Sequence, residues 1–172
     1  ALRQAFTTVD VATLLADMHE LYEPLVQDQG GSLSLQVQGQ PMALGDANLL
    51  VSALANTLEN AIKYGARDGV GPHIALQAQT VAAADGREPG GVEIAVLDDG
   101  PGVPDADLAQ LSQRFFRAHQ QQPGTGLGLA SVQAIVRLHG GQLQFRNTHP
   151  GFAVHMQLPL APTALPAAQH PV

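Results

Sequence analysis

Two carboxamides one helical turn apart are the first residues of this 172-residue chain whose type and spacing suggest chemistry. Asn56 and Asn60 fall in the stretch Asp46 to Tyr64, on a face shared with Lys63 and flanked by Glu59. Leu50, Leu54, Leu58 and Ile62 form an apolar stripe on the opposite face. Asparagine is a mediocre helix former because its amide competes for backbone groups, and a face built for solvation alone would use Glu, Lys or Gln. Two amides in register read as a site. The second group is Asp98, whose parity points it inward at the end of a strand, where an unpaired carboxylate is costly. It reads either as a turn-initiating Asp before Gly100-Pro101 or as an acceptor for a ligand's amino group. Gly100 and Gly102 would let the backbone approach that ligand closely. The third group is Gly124-Thr125-Gly126-Leu127-Gly128 at the start of a helix, followed by Leu129. Unshielded N–H groups at a helix N-terminus make a plausible phosphate site. It is not a Walker loop, since no Gly-Lys-Ser/Thr follows, and it is a poor dinucleotide fingerprint, since Arg114–Pro123 does not read as a strand.

These groups need elements to hold them. Asp46 is placed to cap the Asn-bearing helix and Gly65 to stop it. Asp10 can cap an earlier amphipathic helix, with Val11, Leu14, Leu15, Met18, Tyr22, Leu25 and Val26 at helical spacing until Gly30-Gly31. Pro24 is expected to kink or loosen that helix. Leu33, Leu35 and Val37 alternate as a strand, and Gly39-Gln40-Pro41 turns the chain toward the second helix. Ile74, Leu76 and Ala78 read as another strand, Val81–Gly91 as a mobile hairpin connection, and Val92, Ile94 and Val96 as the strand that ends in Asp98. A short helix is expected from Asp105 to about Ser112. A third long helix carries Leu129, Val132, Ile135 and Val136 and stops at Gly140-Gly141. Leu143 and Phe145, then Phe152, Val154, Met156 and Leu158, form the last two strands around an Asn147–Gly151 turn. The predicted fold class is α/β (α+β), a two-layer sandwich. A mixed, mainly antiparallel sheet of about five strands is covered on one face by three helices.

Composition bounds the function. Apolar residues make up 45 % of the chain, a globular value, and the length supports one domain with a real core. A net charge of −7 with no basic cluster argues against a nucleic-acid partner. With no cysteine there is no disulfide, thiolate metal site or Cys nucleophile. No apolar run reaches the ~20 residues of a membrane span, and no signal segment is evident. The chain begins at Ala and is expected to be a soluble piece of a longer protein.

The order of these groups resembles the ATP-binding domain of sensor histidine kinases. This family lies in the superfamily that also holds gyrase-type and chaperone ATPases, with the Bergerat (GHKL) fold. The resemblance covers roughly Val9 to Pro159. Asn56–Tyr64 (NTLENAIKY) looks like the N box, Asp98–Gly102 like the D-x-G-x-G box, Phe115-Phe116-Arg117 like the F-box region and Gly124–Leu129 like the glycine-rich box. The resemblance implies ATP and Mg²⁺ as cofactors. Asn60 would ligate Mg²⁺ and Asn56 would contact phosphate or water around it. Lys63 would offset phosphate charge, Tyr64 would line the pocket and Asp98 would read the adenine amino group. Residues from about Val103 to Pro123 would form a mobile ATP lid, with Phe115 and Phe116 anchoring it and Arg117 available to the γ-phosphate. Gly124, Thr125, Gly126, Leu127, Gly128 and Leu129 would complete the nucleotide site beside Gly100, Gly102 and Val103. Glu59 is either a base or polariser, or an exposed helix residue.

In the superfamily's hydrolases the position of Asn56 is a Glu that activates water. An amide cannot abstract a proton, so the resemblance implies transfer to a presented nucleophile. His19-Glu20-Leu21-Tyr22-Glu23-Pro24-Leu25 superficially resembles the box around the phospho-accepting histidine. That histidine sits in the family on the first of two long dimerising helices, and only one helix and one strand separate His19 from the Asn56 helix. His19 therefore reads as a flank of the buried stripe.

The expected protein is an incomplete histidine kinase of a two-component phosphorelay. Residues 1–8 are a residual linker, 9–159 the catalytic domain and 160–172 a disordered tail. Its partners are an acceptor-histidine dimerisation domain absent from this chain and a response regulator. The fragment is expected to be monomeric, the whole protein a homodimer, and this part the cytoplasmic domain of an inner-membrane sensor. A regulatory module that holds nucleotide without transfer, or a GHKL hydrolase, are the alternatives.

Overall fold

The computed structural model describes residues 6–82, 89–111 and 128–162. In chain order come β1 (Thr7–Asp10), α1 (Val11–Asp28), β2 (Ser32–Gln38), β3 (Met42–Gly45), α2 (Ala47–Tyr64), β4 (His73–Ala82) and β5 (Pro89–Asp98). A 3₁₀ segment (Asp105–Gln110), α3 (Gly128–Leu138), β6 (Gln142–Asn147) and β7 (Phe152–Leu158) follow. Five strands form one sheet in the order β2-β4-β5-β7-β6. The β2–β4 pair is parallel and the others antiparallel, the mixed sheet expected from the alternating strands.

Strand parity explains why one face is covered. Register pairs Leu33 with Ile74, Leu76 with Val96, Val96 with Val154, Ile94 with Met156 and Val92 with Leu158, all on the inner face. All are buried, and they meet Leu15, Met18 and Val26 of α1, Leu50, Leu54 and Leu58 of α2, and Val132 and Val136 of α3 in one core. Burying each such side chain contributes about 1.5–3 kcal/mol. The opposite face carries Gln36, Gln77, Gln79, Glu93 and His155, with His155 Nδ1 3.4 Å from Glu93 Oε1.

Both predicted caps are in place. Asp10 accepts from the Thr13 N–H at 3.2 Å and Asp46 from the Leu49 N–H at 3.1 Å. Pro24 does not break α1. It lies on the exposed side, where water can serve the carbonyl it leaves without a donor.

Five expectations are corrected. The turn at Gly39–Pro41 leads not straight to α2 but into β3, which pairs antiparallel with β1. That pairing starts at Thr7, inside the predicted linker. The tail is also drawn in: Ala161 donates to the Met42 carbonyl at 2.9 Å and is buried. Four-residue strands with no clear alternation leave little periodic signal, so both were missed. Val81, Ala82, Gly90 and Gly91 belong to strands, while residues 83–88 of the expected hairpin connection lie outside the described residues. The short helix is a 3₁₀ segment ending at Gln110.

A buried histidine fixes the two site helices to each other. Nε2 of His139, the residue after α3, accepts from the Asp46 N–H at 3.1 Å, and Nδ1 lies 2.8 Å from the Ile135 carbonyl. Accepting at Nε2 requires the proton at Nδ1, so one neutral tautomer satisfies both contacts. The ring stacks on Phe6 at 4.6 Å, and a Cβ at Gly45 would lie 2.6 Å from its Cδ2.

Candidate functional site

Three elements meet at the C-terminal half of α2. The first contact is between backbones. Gly65, the residue that caps α2, donates to the Ala61 carbonyl at 2.8 Å and has φ −85°, so it stops the helix without a left-handed turn. Its reason for being glycine is proximity. A Cβ there would collide with the Ala61 carbonyl oxygen and lie 3.1 Å from Asp98 Cβ. A Cβ at Gly100 would lie 2.6 Å from the Gly65 carbonyl oxygen and 2.7 Å from Gly65 Cα. The end of α2 and the turn after β5 thus touch with no side chain between them.

Asp98 sits half-buried beside that contact and accepts from the Gly100 N–H at 2.9 Å. Burial pushes its carboxyl up to about 6, and the neighbouring Asp99 charge adds to this. Backbone donors from Gly100 and Phe152 oppose the rise. Near neutrality Asp98 is a carboxylate with a strong tendency to gain a hydrogen-bond donor.

The second contact joins α2 to α3. A Cβ at Gly128 would lie 3.3 Å from Asn60 Nδ2, so the last glycine of the Gly-rich stretch rests against the Asn60 amide. Asn56 is half-buried one turn earlier on the same helix, Tyr64 is half-buried one turn later, and Lys63 is exposed. Leu129 follows in the first turn of α3, half-buried. The predicted residues Asn56, Asn60, Lys63, Tyr64, Asp98, Gly100, Gly128 and Leu129 therefore gather around one end of α2. Phe115, Phe116, Arg117, Gly124, Thr125, Gly126 and Leu127 lie outside the described residues.

Three predicted residues stand differently. The Tyr22 hydroxyl of α1 donates to Glu59 Oε1 at 3.2 Å, so the Glu59 carboxylate ties α1 to α2. Burial first, then the Glu59 charge, raises the Tyr22 hydroxyl above its ordinary value. Gly102 has φ +73°, and a Cβ there would lie 2.6 Å from Asn147 Oδ1 and 3.0 Å from the Gly151 carbonyl. Its need for glycine, like that of Gly100, is met by internal packing. Val103 is engaged through its backbone by Asn147, a residue that sequence reasoning treated only as part of a turn. His19 flanks the core of α1, with Nε2 2.8 Å from the Leu33 carbonyl and 3.1 Å from Glu23.

Among the described residues no group of three or more His, Cys, Asp or Glu side chains could hold a metal ion. The donors at the end of α2 are carboxamides. Such a set suits a hard cation that takes most of its oxygens from phosphate and water, as Mg²⁺ does.

The family of histidine kinase-, DNA gyrase B-, and HSP90-like ATPases matches residues 45–162, which span α2, the Asp98 turn and α3. The chain belongs to this family. It is similar to the sensor protein SphS of Synechococcus elongatus, at 33 % identity over 178 residues, which covers 95 % of this chain and 40 % of SphS. The solved mycobacterial sensor histidine kinase MprB superposes with a TM-score of 0.76 at 29 % identity, over 92 % of this chain and 99 % of that one. Full-length ShkA, solved in complex with AMPPNP, gives 0.75 at 26 % identity, over 94 % of this chain and 32 % of its own. The chain spans less than half the length of the sequence relatives it matches. It is homologous to the catalytic, ATP-binding domain of sensor histidine kinases.

Gly100→Ala separates packing from ligand contact. The added methyl must displace the end of α2, so a loss of about 1–3 kcal/mol is expected in chemical denaturation without any nucleotide. An unchanged unfolding free energy would show that the turn and helix do not touch.

Proposed function

We propose that this domain binds Mg-ATP between the end of α2, the Asp98 turn and α3, and passes the γ-phosphoryl group to a histidine on a separate dimerisation domain. The observation that carries the reading is the junction of the Asn60 amide with Gly128 on one side and of Gly65 with the Asp98 turn on the other. The nucleotide held by ShkA supports the same ligand class.

In this reading Asp98 accepts from the adenine amino group, and Tyr64 and Val103 line the pocket. Asn60, with Asn56 beside it, would hold Mg²⁺ among the phosphates. The ion, when bound, neutralises phosphate charge. Lys63 adds a cation at the end of α2. Arg117 and Phe115 would act from the proposed lid, and Gly124, Thr125, Gly126, Leu127, Gly128 and Leu129 would hold phosphate oxygens through the backbone. Glu59 serves as a tie to Tyr22 and not as a base. The acceptor nitrogen forms a bond to the γ-phosphorus while the bond to the β,γ-bridging oxygen breaks, and ADP leaves. Neither asparagine can activate water, which favours transfer over hydrolysis.

The domain is then residues 7–162 of a homodimeric sensor that serves a response regulator. It is the cytoplasmic part of an inner-membrane protein. Among the described residues no helix is long and apolar enough to cross a membrane.

Mixing the chain with Mg-[γ-³²P]ATP and a separately made dimerisation domain tests this. Acid-labile label on that domain is expected. Tight binding without transfer would identify a regulatory module, and rapid phosphate release without an acceptor a hydrolase.

The Asp98 carboxyl adds a pH signature. Because its folded value is raised, its contribution to stability is fully present below the usual carboxylate value and is lost as pH rises through about 6. Binding runs the other way, since the amino group needs the carboxylate. Mg-ATP affinity is expected to fall on the order of tenfold between pH 7.5 and 5. Asp98→Asn should bind weakly and lack this component. Equal pH profiles for the two proteins would remove Asp98 from the adenine site.

A further inference from the structure

We infer that Asn147 is a positioning residue for the nucleotide site, clamping residues 103–105 and the Asp98 turn before them to the end of the β6–β7 hairpin. The inference rests on the function proposed above. Asn147 Oδ1 accepts from the Val103 N–H at 3.0 Å, and Nδ2 donates to the Val103 carbonyl at 2.7 Å. A further Nδ2 contact, at 2.7 Å, goes to Asp105 Oδ1. The amide pairs with the Val103 peptide as one strand would pair with another, and its second hydrogen is free for Asp105.

A turn-forming Asn ordinarily bonds within its own turn. Here the partners lie 44 and 42 residues earlier in sequence, in the segment that leaves the Asp98 turn. The hairpin's own closure is made by another group, the Thr148 N–H to the Gly151 carbonyl at 3.0 Å. Cross-strand register sets Asp98 opposite Phe152 and Phe152 opposite Asn147, so the clamp sits two strands from the carboxylate on the same rim.

Close packing leaves the clamp little alternative. Gly102 at φ +73° admits Asn147 Oδ1 where a Cβ would stand. Gly151 at φ +119° lies against the Asp98 carbonyl oxygen, which a Cβ would strike. A carboxylate in place of the amide would have no donor for Val103, and a serine would lack the second donor.

Three proteins decide the matter: wild type, Asn147→Ala, and Asp105→Ala, which loses a single bond from an exposed side chain. Amide hydrogen exchange, melting temperature and Mg-ATP affinity by calorimetry are measured on each. In Asn147→Ala the Val103 amide should exchange freely while the amides of β4, β5 and β7 stay protected, and the Mg-ATP Kd should rise roughly tenfold. Asp105→Ala should raise Kd in the same direction by about two- to threefold. A protected Val103 amide in Asn147→Ala, or an unchanged Kd once that amide is released, would overturn the inference. If Asn147→Ala does not fold, an unchanged Kd in Asp105→Ala overturns it alone. No Mg-ATP binding by wild type would overturn the proposed function and this role with it. Normal wild-type binding with an unaffected Asn147→Ala overturns the role alone.

Discussion

The site depends on a place where two backbones touch. Gly65 ends α2 and Gly100 follows β5; a methyl group on Gly100 would meet the Gly65 main chain, and one on Gly65 would meet the Ala61 carbonyl and the Asp98 side-chain carbons. This contact sets Asp98 against the end of the helix that carries Asn60. Because it is made by glycines, it leaves no side chain whose rotamer could vary the spacing. Asp98 is half-buried there, and its raised carboxyl is the chemical trace of that burial. An acceptor kept short of solvent gains more from a ligand donor than a surface carboxylate does.

Helix α3 completes the arrangement from the other side. It runs antiparallel to α2, with Gly128 against Asn60 at one end and His139 on the Asp46 N–H at the other. Val132 and Val136 fill the space between and are fully buried. The helix is thus fixed at both ends and along its length. Its first residue meets the asparagine face because the far end is held by a histidine whose two nitrogens are both committed. Tyr22 on Glu59 does the same for α1.

Much of this was legible in the sequence because long elements repeat their signal. Leu50, Leu54 and Leu58 in α2, and Val92, Ile94 and Val96 in β5, are buried as their periods require. Asp10 and Asp46 cap as read. Glycines were legible as special positions but not in their reasons. Gly100 and Gly102 were expected to admit a ligand, and the fold gives each a packing reason of its own, Gly100 against the end of α2 and Gly102 against Asn147. A close approach between residues 35 apart in sequence has no local signature. The same holds for Asn147, which bonds to Val103 across 44 residues, and for His139, whose partner Asp46 is 93 residues away. Strands β1 and β3 were invisible for a different reason: four residues hold too few alternations to establish a period.

The central claim is that the Gly65–Gly100 contact brings Asp98, Asn60 and Gly128 around one ligand. A crystal structure of the chain grown with Mg²⁺ and a non-hydrolysable ATP analogue tests this most directly. The adenine amino group is expected within hydrogen-bond distance of an Asp98 carboxylate oxygen. The metal should be ligated by the Asn60 amide oxygen, and the phosphates should lie beside Gly128. An analogue bound elsewhere, or a metal held without Asn60, would contradict the account.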